Sequence, residues 1–107
     1  MNIRRGTTPT IVMNVLDDLD LSRIVEIWVY FSQQNKVKID KGENDVVMDY
    51  DNRKMRVLLS QEDTLNLKEG EAIFQVRALL DDGTALASKD SKVKVLQVYK
   101  GGVITNE

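Results

Sequence analysis

Apolar positions recur every second residue over most of this chain, the period of a strand with one face on a core and the other in water. TPTIVMNVLD predicts a first strand over residues 9–16, with Pro9 at its start, where a missing amide costs least. RIVEIWVYFSQ predicts a long second strand. Strict alternation turns Val25, Ile27, Val29 and Phe31 to the core, and Ile24, Glu26, Trp28 and Tyr30 to the other side. KVKID places Val37 and Ile39 inward, and DVVMDY forms a fourth strand. The turn DYDNRK follows, where Asp51 and Asn52 tolerate left-handed backbone. KMRVLLS then buries Met55, Val57 and Leu59. EAIFQVRALL sets Ala72, Phe74, Val76 and Ala78 against Glu71, Gln75 and Arg77. Gly83 in DDGT suits a turn of positive φ, and a last strand, broken by a bulge near SKDS, runs to about residue 99.

One segment breaks the period. In LLSQEDTLNLKEG, Ser60 precedes Asp63 by three residues, the spacing of a capping box, and Gly70 closes the run. Seven strands with turn signals every 8–12 residues predict an all-β, immunoglobulin-like two-sheet antiparallel sandwich. Residues 60–70 then fall at the E–F crossover, where a capped helical turn satisfies backbone groups that a bare crossover leaves unpaired. Leu65 and Leu67 are placed to plug the open end of the sandwich; the rival reading is an amphipathic helix that docks a partner. The expected organisation is an N-terminal arm over residues 1–8, the sandwich over 9–99 and a short tail over 100–107.

Composition narrows the function classes. A chain of 107 residues with 42% apolar side chains supports one domain and one core. Cysteine is absent, which excludes a disulfide framework and thiol chemistry. The opening MNIRRGTTPT has no apolar stretch of a signal peptide, and no apolar run approaches a membrane span, so a bacterial cytoplasmic location is expected unless the chain is part of a virion. Fifteen basic and 17 acidic side chains are well mixed, and no nucleic-acid or membrane partner is expected. Lys92 and Lys94 alternate with Val93 and Val95, the wet face of a strand; a polyanion-binding ridge is the alternative.

Histidine is also absent, so the common nucleophile–base pairs and the usual zinc and haem ligands are missing. No glycine-rich phosphate loop occurs. The remaining candidates are two acidic clusters, Asp17, Asp18 and Asp20, and Asp81 and Asp82. In the strand order above they lie a strand's length apart, too far for joint acid–base work. Each reads as a solvated turn, with a calcium site formed by Asp81, Asp82, Asp51 and Asn52 as the alternative. The expectation is a non-enzyme without cofactor or metal. Outward apolar side chains say more: Trp28 and Tyr30 on the second strand, Ile73 and Leu79 on the sixth. As strands B and F these belong to different sheets and predict two patches. Such patches mark contact surfaces, unless loops cover them, and Trp28 also suits sugar stacking.

The ordered string RRGTTPTI, LDLSRIVEIWVYFSQ, VLLSQEDTLNLKEGEAIFQVRALLDDGT and SKVKVLQVYKGGVI resembles small immunoglobulin-like proteins of phage and prophage tails in Gram-positive bacteria. It is also similar to the N-terminal immunoglobulin-like domain of upper baseplate proteins. The resemblance implies a virion structural protein that docks onto other tail or baseplate subunits, without catalysis. NIRRGTTP, with Arg4 and Arg5, and GGVITNE are then candidate arms for binding neighbours, and self-association stays open. A carbohydrate- or surface-binding module is the second reading, and a host regulatory or adaptor domain the third.

Overall fold

The computed structural model describes residues 1–14 and 19–105. Among the described residues nine strands form two sheets, against the seven expected. They are β1 (Asn2–Arg4), β2 (Thr10–Asn14), β3 (Ile24–Gln33), β4 (Lys36–Lys41), β5 (Val46–Asp49), β6 (Lys54–Leu58), β7 (Gly70–Leu80), β8 (Ala85–Ala87) and β9 (Ser91–Leu96). The large sheet has the order β1-β9-β7-β3-β4, with β8 also on β7; the small sheet is β2-β6-β5. Two facing sheets in this order make an immunoglobulin-like sandwich, with β2, β6 and β5 as strands B, E and D, and β9, β7, β3 and β4 as G, F, C and C′. Val15 and Leu16, the end of the expected first strand, lie outside the described residues, as do Asp17 and Asp18.

The two extra strands have local causes. Residues 2–4, expected in an arm, pair with β9, the one parallel ladder among the described residues, and Ile3 is only 2% exposed. An apolar residue between two polar ones is a complete inward-facing strand at this length. The last strand splits because Ser88 returns to β7: its amide donates to the Val76 carbonyl at 2.8 Å, and its Oγ accepts from the Val76 amide at 2.9 Å.

Counting β1 moves the first three expected strands to B, C and C′ and leaves D to G in place. The expected second strand is C, not B, and it pairs with β7 along most of its length.

The core follows the alternation except at two bulges. Ile27, Val29, Phe31, Ile39, Met55, Val57, Leu59, Ala72 and Phe74 are buried as expected. Val25 is not: the β3–β7 register slips between Ile24 and Glu26, so Val25 is the unpaired extra residue and points to solvent. Val37 is also exposed. The β3–β4 register slips after Phe31, which sets Val37 opposite outward-facing Ser32 and keeps Ile39 opposite Phe31. The β3–β4 hairpin turns at Gln34 and Asn35, both at positive φ, the requirement of a tight two-residue turn.

Residues 60–70 hold the expected capped turn, α1 (Gln61–Leu65). Ser60 Oγ accepts from the Asp63 amide at 3.0 Å, and Asp63 Oδ2 accepts from the Ser60 amide at 2.8 Å. Lys41 Nζ lies 2.7 Å from the same Asp63 oxygen, which ties α1 to β4. Leu67 is fully buried and Leu65 half-buried, so the plug is mainly Leu67 together with buried Thr64. Gln33, at the end of β3, is buried too. Its Nε2 donates to the Lys68 carbonyl and its Oε1 accepts from the Lys68 amide, both at 2.8 Å. This amide clasps the crossover to the large sheet.

Candidate docking face

Because β3 and β7 are neighbours, the two expected patches are one. Antiparallel register sets Glu26 opposite Leu79, Trp28 opposite Arg77, Tyr30 opposite Gln75 and Ser32 opposite Ile73. Directly opposed side chains share a face, so these four pairs form a double row on the outer surface of the large sheet. Trp28 is 45% exposed and Leu79 37% exposed. Tyr30 and Ile73 are half-buried. Trp28, Glu26, Arg77, Leu79 and Ala85 border an open depression of about 170 Å³.

Polar contacts fix the aromatic rings in place. The Trp28 indole N–H donates to Glu26 Oε1 at 3.0 Å, and the Arg77 guanidinium lies 5.2 Å from the ring centroid. That cation–π contact covers part of the indole and holds its rotamer. Tyr30 Oη donates to Gln75 Oε1 at 2.6 Å, and Gln75 Nε2 donates to the Ser88 carbonyl at 3.0 Å. Asp40 of β4 lies opposite Tyr30 and extends the face with a carboxylate. The result is an apolar strip with acidic and basic groups at its margin, on two central strands.

The other expected site residues are engaged within the chain. Arg4 Nη1 donates to the Gln97 carbonyl at 2.6 Å, and Arg5 Nη2 donates to the Leu65 carbonyl at 3.1 Å. Both arginines therefore brace the β1 segment against its neighbours. Among the described acidic residues, Asp20 and the Asp81–Asp82 pair meet at one end of the sandwich rather than lying apart. Strand C begins opposite the end of strand F, so Arg23 reaches both aspartates of the turn that follows, with Nε 3.1 Å from Asp81 Oδ1 and Nη2 2.7 Å from Asp82 Oδ2. The Arg23 amide donates to the Asp20 carbonyl at 3.1 Å.

These carboxylates serve turns. Hydrogen bonds from Thr84, with Arg23 adding to them, hold the Asp82 carboxyl at about 2. The Asp20 carboxyl is lowered by its bonds from the Ser22 side chain and amide, as an N-cap of the short 3-10 turn Leu21–Arg23. Asn52, expected in a cation site with Asp81 and Asp82, instead bonds Asp49 through its amide and side chain. Among the described residues, no three acidic side chains group as a metal would require.

Sequence reasoning named Trp28, Tyr30, Ile73 and Leu79 and set Glu26 and Arg77 on the same sides of their strands, but missed that the two strands pair into one surface and that Ala85 joins it. The available signal was the apolar Ile3 in NIR: counting it as a strand makes the second long segment C, which puts it beside F.

No family model matches the chain, and no curated protein matches it. Among solved structures it is similar to the V domain of amphioxus IgVJ-C2, at 14% identity and a TM-score of 0.35, over 90% of this chain and 99% of that one. The strand order, rather than this likeness, makes the fold immunoglobulin-like. Among the described residues no helix is long and apolar enough to cross a membrane.

Proposed function

We propose that this chain is a non-enzymatic structural protein of a phage or prophage tail or baseplate, which docks onto neighbouring protein subunits through the Trp28 face. The observation that carries the docking reading is the juxtaposition of Trp28 and Leu79 with Arg77 and Glu26 on β3 and β7. Half-exposed tryptophan and arginine held rigid on a sheet lose little side-chain entropy on association, and they are the residue types that dominate contact energetics. The tail assignment rests on the ordered sequence resemblance. The test is reconstitution with the tail and baseplate proteins encoded beside its gene. Binding that weakens at least tenfold in Trp28→Ser and Leu79→Ser supports the reading; binding unaffected by both, or no binding to any tail protein, overturns it.

A carbohydrate-binding module is the second reading, favoured by the open depression beside Trp28 with its carboxylate and guanidinium. It ranks second because Arg77 lies over the indole, where a sugar ring would stack. Glycan-array binding lost in Trp28→Ala would reverse the order.

A further inference from the structure

Among the described residues, the sandwich is open along one edge. There β2 ends the small sheet, while β8 flanks β7 on the large one. Between them lies an apolar cleft of about 390 Å³, floored by Met13 and Met55 from one sheet and Ile27, Phe74 and Val76 from the other. Leu86 and Ala87 of β8 form one lip. The other lip is the β2 backbone itself. The Leu59 amide donates to the Pro9 carbonyl at 3.0 Å, and bonded pairs alternate in an antiparallel ladder. Ile11 and Met13 therefore take the bonded positions against β6, and Thr10, Val12 and Asn14 turn their N–H and C=O groups outward. Among the described residues these groups have no backbone partner. A row of donors and acceptors at strand spacing beside an apolar floor matches one kind of occupant. That occupant is an extended segment whose backbone continues the ladder and whose alternate side chains enter the cleft.

The chain itself carries such a segment. Residues 97–105 form no strand, and within them Tyr99 is 95% exposed and Ile104 81% exposed, with Val103 also in solvent. In extended form Tyr99, Gly101, Val103 and Thr105 share one side, and Lys100, Gly102 and Ile104 the other. The first set suits the cleft floor. The second brings Ile104 beside Val12, which is half-exposed on the outer surface of β2. We propose that residues 99–105 of one copy add as a strand to β2 of a second copy. Within its own copy the segment is held by Gln61, whose Nε2 donates to the Ile104 carbonyl at 3.0 Å and whose Oε1 accepts from the Ile104 amide at 2.8 Å. That clasp leaves the Ile104 side chain in water, and exchange to a neighbour releases it. The contact joins two different surfaces, so it closes as a pair when the exchange is reciprocal and otherwise builds rings or open rows. It uses the edge of the sandwich and does not depend on the Trp28 face.

Sedimentation velocity of the full chain over a concentration series tests this. The weight-average mass should rise with concentration. Val12→Pro should hold it at the monomer, because the residue 12 amide makes no bond to β6 and its loss spares the fold. The triple variant Tyr99→Ser, Val103→Ser, Ile104→Ser should do the same, and Gln61→Ala should move association to lower concentration. Since the chain has no cysteine, mixing Val12→Cys with Ile104→Cys gives an independent readout. A disulfide-linked heterodimer is expected, and none when Val47→Cys on the opposite edge strand replaces Val12→Cys. A monomer at every concentration without that crosslink overturns the proposal. So does association that survives both the Val12→Pro and the triple variant, or association lost in Trp28→Ser alone, which would assign self-contact to the docking face.

Discussion

Ile3→Ala separates a β1 that belongs to the core from a flexible arm. Ile3 is 2% exposed, clustered with Val93, Val95 and the rest of the core, and its strand pairs with β9 through Asn2–Lys94, Ile3–Val95 and Arg4–Leu96. The substitution removes three buried carbon groups, worth about 2.4 kcal/mol at roughly 0.8 kcal/mol each. Partial collapse leaves a small cavity that adds roughly 0.5–1 kcal/mol. The expected loss is therefore about 3 kcal/mol, or a fall in Tm of roughly 12–24 °C for a chain this size. Thermal and urea unfolding followed by circular dichroism would measure it, with Thr8→Ala, at an exposed neighbouring position, as the reference within about 0.5 kcal/mol. An Ile3→Ala midpoint indistinguishable from that of Thr8→Ala would refute the place of β1 in the core. It would also return residues 1–8 to an arm.

Three further outcomes follow from the contacts around the crossover and the acidic turns. Gln33→Ala leaves the Lys68 amide and carbonyl without their partner inside the fold, and should cost about 1–3 kcal/mol in urea unfolding. Ser60→Ala removes the N-cap of α1 and should cost about 1 kcal/mol by the same measurement. Burial raises the Asp63 carboxyl, but bonds from Lys41 and Ser60 outweigh it, and the net shift is downward, as it is for Asp82. With folded values below the unfolded ones, the unfolded chain takes up protons first, so this contribution is complete above about pH 5 and disappears as acid carries the folded carboxyls through their own titration. Urea midpoints measured from neutral pH down to about pH 2 should fall through that range, less steeply in Asp63→Asn.

Much of this fold was legible because burial imposes a period of two, and the inward residues of β6 and β7 follow it with no slip. The α1 cap was legible as well, since Ser60 and Asp63 make their bonds across three residues and need nothing distant. What alternation cannot show is register. Two bulges turned Val25 and Val37 outward, and each depends on a neighbouring strand that local sequence does not name. The candidate face was half legible for the same reason: the outward side of Trp28 and Leu79 is a local property, while their adjacency depends on which strands pair. The Gln33 clasp joins residues 35 positions apart and carries no local signal.

The docking reading is tested most directly at Trp28, the chain's single tryptophan, so its fluorescence reports from the candidate face alone. With the indole 45% exposed, acrylamide should quench it readily in the free chain. On addition of the assembled tail or baseplate subunits, quenching should fall by at least half as the contact shields the ring. Full quenching in a chain that co-sediments with those subunits would show that it is held by some other surface, and would contradict the account.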